Sequence, residues 1–252
     1  AVRSVPRDDL EELTDGGNHQ GVAIRTSSYP YAEFDQILET VRDDPAAIVL
    51  LLDHIEDPQN VGSLLRTADA AGVAGVVIPN DRAASVTSAV VRASAGASEH
   101  VSVARVVNLG RAIGELKACE CWITGLDVGE GARPYTEVDF KGRCGLVVGN
   151  EGRGLGRLIR EQCDFIAELP MRGQVSSLNA GVAGALGMAA VVLEAASRGR
   201  WTTRFRSDYA KRGFNTRAGY CRGCANRCSL SQPYEVLAGR EVDYLAEDAD
   251  PS

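Results

Sequence analysis

The chain has 252 residues, of which 44% are hydrophobic and 24% are charged, enough to bury a full globular core. No run approaches the roughly 18 apolar residues of a membrane span and the first residues lack a signal-peptide core, so we expect a cytoplasmic protein without membrane contact. The net charge of −7 opposes a nucleic-acid partner, but the charges are unevenly distributed. Residues 198 to 227 hold nine Lys or Arg against one Asp, whereas residues 241 to 252 hold five acids and no base.

Residues 1 to 18 are polar and acidic, which predicts a linker remnant. From residue 19 onward, apolar runs typical of buried strands alternate with stretches of helical period. The predicted strands are 22–24, 46–53, 75–79, 101–106, 122–126, 145–148 and 165–169. The predicted helices are 31–41, 58–71, 86–95, 108–118 and 178–197, with a short helix between the last two strands. This alternation predicts an α/β domain over residues 19 to 197, a three-layer, mainly parallel sheet.

Beyond residue 197 the pattern is lost, and we expect a basic and then acidic tail over residues 198 to 252, irregular in structure. Its basic part interleaves five aromatic residues with its Lys and Arg. Cations for phosphates and flat rings for unstacked bases are what single-stranded RNA binding needs. A solvated tail that only aids solubility is the alternative.

The polar residues that follow three of the predicted strands are candidates for chemistry, because ligands of open α/β sheets bind beyond the carboxyl ends of the strands. After strand 46–53, Asp57 is suited to cap a helix that carries Asn60 and Arg66. Arg66 is either a solvent-facing charge or, since Leu65 and Ala68 belong to the apolar face, a guanidinium held near the core to bind an anion.

Two further segments follow the last predicted strands. The turn GNEGRGLG (149–156) matches neither the dinucleotide fingerprint nor the P-loop, and is either a phosphate cradle or a tight turn. Residues 176–179 (SSLN) open the last helix, where Ser or Asn is able to cap it. Each segment alone has an ordinary structural explanation, but their combination in one chain is informative.

The order and spacing of three motifs identify a family resemblance. The motifs are Asp57-Pro58-x-Asn60-x-Gly62-x-x-x-Arg66-Thr67-Ala68, then Gly149-x-Glu151-Gly152-x-Gly154-Leu155, and finally Leu169-Pro170-Met171 with Ser176-Ser177-Leu178-Asn179. Over about residues 19 to 197 the chain resembles the SpoU (TrmH-like) branch of the SPOUT RNA ribose 2′-O-methyltransferases. His19-Gln20-Gly21 and Val175-Ser176-Ser177-Leu178-Asn179 are most similar to the bacterial 23S ribosomal RNA guanosine 2′-O-methyltransferases.

The resemblance implies a sheet whose C-terminal part is tied in a trefoil knot, the α/β knot of SPOUT enzymes, which topology rules alone would discard. It implies S-adenosylmethionine as cofactor, with its adenine held by the backbone at Gly149, Leu169 and Leu178. We add Met171 and Ser177 to this cofactor site. Homodimers are also implied, with RNA, most simply ribosomal RNA, as the partner.

The resemblance further implies that Arg66 is the central catalytic residue. Because a guanidinium stays protonated, we expect Arg66 to act as an electrostatic clamp on the 2′-oxygen or the adjacent phosphate. Asn60, Glu151 and Asn179 are expected to position Arg66 and the ribose. For RNA binding we predict Arg66, His19, Arg204 and Arg206, although His19 is also explained as part of a strand-entry turn.

Two departures from the family pattern stand out. The family usually continues after the last motif's Asn with Val-Ser-Val-Ala, whereas Asn179 is followed by Ala180-Gly181-Val182-Ala183, so a hydroxyl near the methyl donor is missing. Relatives also commonly carry a small N-terminal RNA-binding domain, and this sequence begins where their linker would be.

Three alternatives remain at this stage. The enzyme could modify transfer RNA, or the chain could be a non-enzymatic RNA-binding or ribosome-assembly protein, which the altered last motif would suit. The glycine turn alone suggests a nucleotide-dependent oxidoreductase.

The seven cysteines lack the regular framework of a disulfide-bonded protein. Those in or beside apolar segments are expected to remain reduced: Cys119, Cys121, Cys144 and Cys163. The spacing C-x-x-C-x-x-x-C of Cys221, Cys224 and Cys228 is suggestive of zinc or an iron–sulfur cluster, but no Cys or His follows to complete it. We therefore expect no metal.

Overall fold

The structure, a computed structural model, describes residues 2–14, 16–17, 19–175, 177–197 and 242–247, which belong to two compact units. The smaller unit contains strands β1 (Val2–Val5), β2 (Val22–Thr26) and β10 (Val242–Glu247) and helix α1 (Arg7–Leu13). Strand β10 pairs in parallel with β1 and antiparallel with β2, so it is the middle strand of this small sheet.

The larger unit is an α/β domain. Its strands are β3 (Ile48–Asp53), β4 (Gly75–Pro79), β5 (Val103–Val106), β6 (Cys121–Leu126), β7 (Ala132–Pro134), β8 (Arg143–Gly149) and β9 (Phe165–Glu168). Its helices are α2 (Phe34–Asp43), α3 (Pro58–Ala71), α4 (Ser88–Ala93), α5 (Leu109–Ala118), α6 (Arg157–Gln162) and α7 (Ala180–Ser197).

The seven strands of the larger unit form one sheet in the order β5-β4-β3-β8-β6-β9-β7. Every neighbouring pair is parallel, which confirms the predicted α/β class and the mainly parallel sheet. Asp53 pairs with Gly149, and Leu126 pairs with Val148. The carboxyl ends of β3, β8 and β6 therefore meet at the same edge of the sheet, and the loops that follow them are neighbours.

Helices cover both faces of this sheet, as the continuous apolar strands predict. On one face, residues of α2, α5 and α6 pack with Val49, Leu51 and Val147 in a single buried cluster. On the other face, α7 approaches the sheet so closely that a Cβ at Gly187 would lie 2.6 Å from Leu126 Cδ1. Small residues in α7 thus set its distance from β6 and β8.

Two predictions about the ends of the chain need correction. Residues 1 to 18, predicted as a linker, contain β1 and α1, and the tail predicted as irregular contains β10. The sequence pattern is weak there because these strands are short and polar, and β10 is paired with segments more than 200 residues away.

Strand β7 was also missed, and α4 is shorter than its prediction of 86–95. Among the described residues, no helix is both long and apolar enough to cross a membrane.

Candidate active site

Helix α3 carries the first part of the candidate site, and its start follows the capping rules. The Asp57 side chain accepts a hydrogen bond of 2.9 Å from the backbone N–H of Gln59, and Pro58 occupies the first turn. At the other end, Gly72 adopts the left-handed conformation with φ of 64°. The predicted apolar residues of this helix are all buried: Val61, Leu64, Leu65 and Ala68. This packing fixes the direction in which Asn60 points.

Asn60 is the centre of a hydrogen-bonded chain that joins all three motifs. Its side chain is buried and donates from Nδ2 to Glu151 Oε1 over 2.7 Å. Its Oδ1 accepts a 2.8 Å hydrogen bond from Asn179 Nδ2. Asn179 in turn accepts from the backbone N–H of Val182, so this residue caps α7 as the sequence suggested. Three of the four predicted catalytic residues are therefore in contact.

Arg66 lies outside this chain of contacts. Its side chain is exposed, and no hydrogen bond or ion pair to it is found within the described part of the chain. Of the two alternatives for Arg66, the structure therefore shows the solvent-facing charge. Asn60 makes its side-chain hydrogen bonds to Glu151 and Asn179, and its role in positioning Arg66 stays a prediction. The helical period explains why Asn60 and Arg66 do not touch, because residues six apart are about 120° apart around the axis. The guanidinium is left available to an external anion.

The glycine turn after β8 is a tight backbone loop. Asn150 and Gly154 exchange two backbone hydrogen bonds, and Gly154 has a left-handed φ of 67°. A Cβ at Gly149 would overlap the backbone of Gly154, so the return of the chain requires glycine at this position. Glu151 lies at the exposed tip of the loop and reaches Asn60 from there.

Asp53 and His54 at the end of β3 hold both sides of this loop, and the sequence analysis missed them. Asp53 is 1% exposed, and its Oδ2 accepts a 2.7 Å hydrogen bond from the backbone N–H of Gly156. Its Oδ1 lies 2.6 Å from Nδ1 of His54, which has an unusual φ of 59°. The His54 carbonyl accepts from Asn150 Nδ2 over 2.8 Å. The sequence signal that could have identified Asp53 is its position, a carboxylate at the end of a buried aliphatic strand.

The predicted cofactor residues lie where β8 and β9 end. Gly149 is the last residue of β8, while Leu169 and Met171 follow β9 directly. Leu169 and Leu178 are half-buried, whereas Met171 is 38% exposed and Ser177 is exposed. Ser176 lies outside the described residues. The structure thus brings these predicted residues to the loops at one edge of the sheet, on either side of β6.

The departure at Gly181 leaves a small notch next to Asn60. A Cβ at Gly181 would lie 3.1 Å from Asn179 Oδ1, 3.3 Å from Ser63 Oγ and 3.4 Å from Asn60 Oδ1. Ser63 is exposed on α3 one turn before Arg66. A hydroxyl is therefore present beside the position where the family usually has one, but it comes from a different helix.

Other predicted residues lie elsewhere. His19 belongs to the smaller unit, where its Nδ1 accepts a 3.0 Å hydrogen bond from the backbone N–H of Gly21, as expected for a strand-entry turn. Arg204 and Arg206 lie outside the described residues, as do Cys221, Cys224 and Cys228. Among the residues that the structure does describe, no cluster of His, Cys, Asp or Glu is arranged to hold a metal ion.

The sequence also matches known proteins. Residues 47–189 match the SpoU rRNA Methylase family. Over 186 residues the chain is 44% identical to YacO of Bacillus subtilis, described as a TrmH family tRNA/rRNA methyltransferase; this covers 73% of the chain and 74% of YacO. A TrmH family protein of Staphylococcus saprophyticus is 46% identical over 188 residues, 74% of this chain and 75% of the relative.

Solved structures give the same result. The SpoU methyltransferase AviRb of Streptomyces viridochromogenes is 30% identical with a TM-score of 0.61, covering 67% of this chain and 66% of AviRb. AviRb was also solved with AdoMet, at a TM-score of 0.60. An AdoMet-bound rRNA methyltransferase of Sinorhizobium meliloti is 26% identical, with a TM-score of 0.57, over 64% of this chain and 60% of the other. The chain thus spans about two thirds of the length of these structures.

The family match covers α3, the glycine loop and Asn179, which meet at Asn60, and it also covers Leu169. The resemblance seen in the sequence is therefore confirmed, and a nucleotide-dependent oxidoreductase is no longer a competing explanation. The chain belongs to the SpoU rRNA methylase family of RNA methyltransferases, which use S-adenosylmethionine.

Proposed function

We propose that this protein transfers a methyl group from S-adenosylmethionine to a ribose 2′-hydroxyl of RNA, most specifically to a guanosine of 23S ribosomal RNA, in the cytoplasm. The observation that carries this proposal is the contact of Glu151, Asn60 and Asn179 beside an exposed and unpaired Arg66. The three contacting residues come from three separate segments, so one polar site joins all of the family motifs.

The proposed cofactor site uses the backbone of Gly149, Leu169 and Leu178, with Met171 and Ser177 beside it. Backbone groups at strand ends suit an adenine, and the glycine at 149 permits an approach that a side chain would obstruct. When bound, S-adenosylmethionine supplies a methyl group on a positively charged sulfur. The Asp53 carboxylate keeps the loop in place through the N–H of Gly156.

Arg66 is assigned to the ribose and its phosphate. The 2′-hydroxyl must release its proton, here to solvent water, for its oxygen to bond to the methyl carbon, and negative charge develops on the oxygen as the proton leaves. The guanidinium stays protonated and offers two parallel donors, so it stabilises this charge without acting as a base. DNA lacks the 2′-hydroxyl, so the group that is methylated also distinguishes RNA from DNA.

A trefoil knot in the C-terminal part of the sheet is proposed on two observations. Strand β8 lies between β3 and β6, although both of these precede it in the chain. Helix α7 then packs against α3 and β8, with a Cβ at Gly184 overlapping Leu64 and lying 3.1 Å from Val148. The late segments thus lie among much earlier ones, as threading through a loop requires.

A homodimer is proposed from the surface of α7. Val182 and Leu186 are each 48% exposed and Leu193 is 67% exposed, at spacings that put them on one face of the helix. The opposite face is buried through Gly184, Gly187 and Met188. An apolar stripe on a helix that also carries the site residue Asn179 at its cap is best covered by a second copy of the chain.

RNA contacts outside the central site are proposed for His19 and for Arg204 and Arg206. The Nδ1 atom of His19 accepts a hydrogen bond from the backbone N–H of Gly21, and the His19 ring is half-buried. Arg204 and Arg206 belong to the stretch in which cations alternate with aromatic residues, a composition suited to phosphates and unstacked bases.

Transfer RNA is a second candidate substrate, because YacO and the staphylococcal relative are both described as tRNA/rRNA methyltransferases. A single-turnover assay with labelled S-adenosylmethionine distinguishes the two, using unmodified 23S ribosomal RNA and unmodified tRNA as separate substrates. We expect methylation of the ribosomal RNA, at a position that becomes resistant to alkaline hydrolysis. Methylation of tRNA alone would move the assignment to tRNA, and no methylation of either RNA would support a non-enzymatic role.

A further inference from the structure

The arginines of the larger unit divide into two sets according to whether they have partners. Those with a partner are bound to a carboxylate or a ring: Arg105 over Tyr31, Arg111 with Glu115, Arg143 with Glu120, Arg157 with Glu161 and Arg160 with Asp127. The others are exposed, and the described residues offer them no hydrogen bond or ion pair through the side chain: Arg42, Arg66, Arg82, Arg92, Arg133, Arg153 and Arg172. The second set is concentrated at the candidate site.

Four of these unpaired arginines lie in segments that contact the first half of α3 or the residues just before it. They are Arg82, Arg92, Arg153 and Arg172, and we call them the arginine rim. Arg82 is in the loop after β4, where Ala84 donates a 2.9 Å backbone hydrogen bond to the carbonyl of Ile55, just before α3. This bond holds the loop beside the polar end of β3.

Arg92 is on α4, which packs directly on α3. A Cβ at Gly62 would overlap the Cβ of Ala93 and approach the backbone N of Ser94 to 2.9 Å. Arg66 follows Gly62 by four residues, about 40° around the helix axis, and Arg92 precedes Ala93 in the chain. Arg92 is therefore adjacent to a residue in the contact between α3 and α4, and Arg66 is about one turn from that contact.

Arg153 and Arg172 are brought to the same place by the two hydrogen bonds of Asn60. Arg153 is in the glycine loop, which is tied to α3 by the bond between Asn60 and Glu151. Arg172 is in the segment between β9 and α7, which ends at Asn179, the other partner of Asn60. The rim thus comes from four separate segments, each of which is bonded to or packed on α3 or the residues just before it.

We propose that the arginine rim binds the phosphate backbone of RNA on both sides of the target nucleotide. This proposal rests on the proposed function, since it names how that site holds its substrate. A protein with a net charge of −7 gains little from long-range attraction to RNA, so cations must be concentrated where RNA docks. Unpaired guanidiniums suit this purpose, because no internal ion pair has to break before a phosphate is bound.

Among the described residues, the acids of this edge form no ion pair with the rim arginines. Asp57 accepts from the N–H of Gln59 and Glu151 accepts from Asn60. Glu56 and Asp81 are exposed, and neither forms an ion pair with an arginine in the described ranges. Each rim guanidinium therefore keeps its donors available for a phosphate.

The test changes the rim arginines to glutamine, singly and all together, in the full chain, and uses Arg42→Gln as the matched control. Arg42 is also exposed and unpaired, but it lies at the end of α2, before β3 and thus at the opposite edge of the sheet. The affinity for an unmodified 23S ribosomal RNA transcript is measured between about 50 and 200 mM salt, a range in which affinity that depends on phosphate contacts falls steeply. Affinity for S-adenosylmethionine is measured on the same samples.

We expect each rim substitution to reduce the slope of log affinity against log salt by about 1, and the combined variant by about 4, with unchanged S-adenosylmethionine affinity. Arg42→Gln should keep the wild-type slope. The same slope in the combined variant as in wild type would overturn the proposal, as would an equal loss in Arg42→Gln. If the wild-type protein binds the transcript with the predicted slopes but methylates no RNA, the rim stands and the proposed reaction fails.

Discussion

Arg66 is the side chain on which the proposed chemistry depends, and its exposure makes it a clean test. Arg66→Ala removes the charge, while Arg66→Lys keeps the charge but loses the planar pair of donors. We expect both variants to lose at least about 100-fold in single-turnover methylation, the effect of removing one oxyanion donor. S-adenosylmethionine binding, measured by calorimetry, should be unchanged because Arg66 does not contact the glycine loop in the described structure. Substantial activity in Arg66→Lys would exclude the two-donor role.

Asp53 is expected to act on the cofactor site through the glycine loop. Asp53→Asn keeps the size of the side chain but offers only one acceptor to the two donors, His54 Nδ1 and the N–H of Gly156. We expect a loss of about 1–3 kcal/mol in the free energy of unfolding and at least about tenfold weaker S-adenosylmethionine binding. Asp139→Asn, on a half-exposed carboxylate paired with Lys141, is the control. Unaltered cofactor affinity in Asp53→Asn would show that the loop does not need this clamp.

The core cysteines give the protein a predictable weakness at high pH. Burial raises the pKa of the Cys121 thiol from 9.0 to about 12, and burial raises that of Cys163 similarly to about 12. Between these values the unfolded state loses protons that the folded state keeps, so the free energy of unfolding falls as pH rises from about 9 towards 12. Urea unfolding at pH 7.5, 9 and 10 measures this fall. The Cys121→Ala/Cys163→Ala variant should show a smaller fall than wild type, and an equal fall would rule out these thiols.

Of the side-chain contacts in the candidate site, the sequence predicted some and missed others. The motifs correctly grouped Asn60, Glu151 and Asn179, because side chains at the ends of neighbouring parallel strands must converge. The structure shows no direct contact between Asn60 and Arg66, since residues six apart in a helix are separated by about 120° around its axis. Asp53 escaped notice because its buried partner, the N–H of Gly156, lies 103 residues further along the chain.

Helix packing around α3 depends on glycine at position 62. In Gly62→Ala the new methyl group would overlap Ala93 and crowd the backbone of α4, which cannot rotate away as a side chain could. We expect this variant to lose at least about 3 kcal/mol in the free energy of unfolding, at the upper end of overpacking effects. It should also bind RNA more weakly, because α4 carries Arg92.

Gly114→Ala is the matched control for this substitution. Gly114 is an exposed residue inside α5, and a Cβ there meets no atom within 4 Å. Replacement by alanine should raise the free energy of unfolding by about 0.5–1 kcal/mol, since it restricts the unfolded chain and favours helix. Urea unfolding curves of both variants give the comparison. A similar change in the two variants would mean that the contact between α3 and α4 is not tight.

The elements of the larger unit could be predicted because each carries its own signal. The aliphatic run of β3 and the cap and terminal glycine of α3 required no distant information. Strand β7 has only three residues, Ala132–Pro134, and is recognisable only through its pairing with β9. The small sheet of β1, β10 and β2 escaped prediction for the same reason, because its order depends on which distant segments meet.

The order of the strands in the larger sheet could not be predicted from the sequence, for a different reason. Each helix and strand has a local pattern, but no local pattern places β8 between β3 and β6, which both precede it in the chain. The usual rules of connection reject threaded topologies, so they would have excluded the proposed knot. Similarity to a family was needed at this scale, whereas physical reasoning was sufficient for the individual elements.

The proposed homodimer can be tested directly through the exposed apolar face of α7. Leu193 is 67% exposed on the apolar stripe with Val182 and Leu186, and lies 14 residues after Asn179. Leu193→Glu places a charge in the interface without touching the site, and we expect it to shift the sedimentation coefficient from dimer to monomer. Leu158→Glu, on α6 and 65% exposed, is the control and should remain dimeric. A wild-type protein that sediments as a monomer, or a Leu193→Glu variant that dimerises like wild type, would mean that a second copy does not cover this stripe.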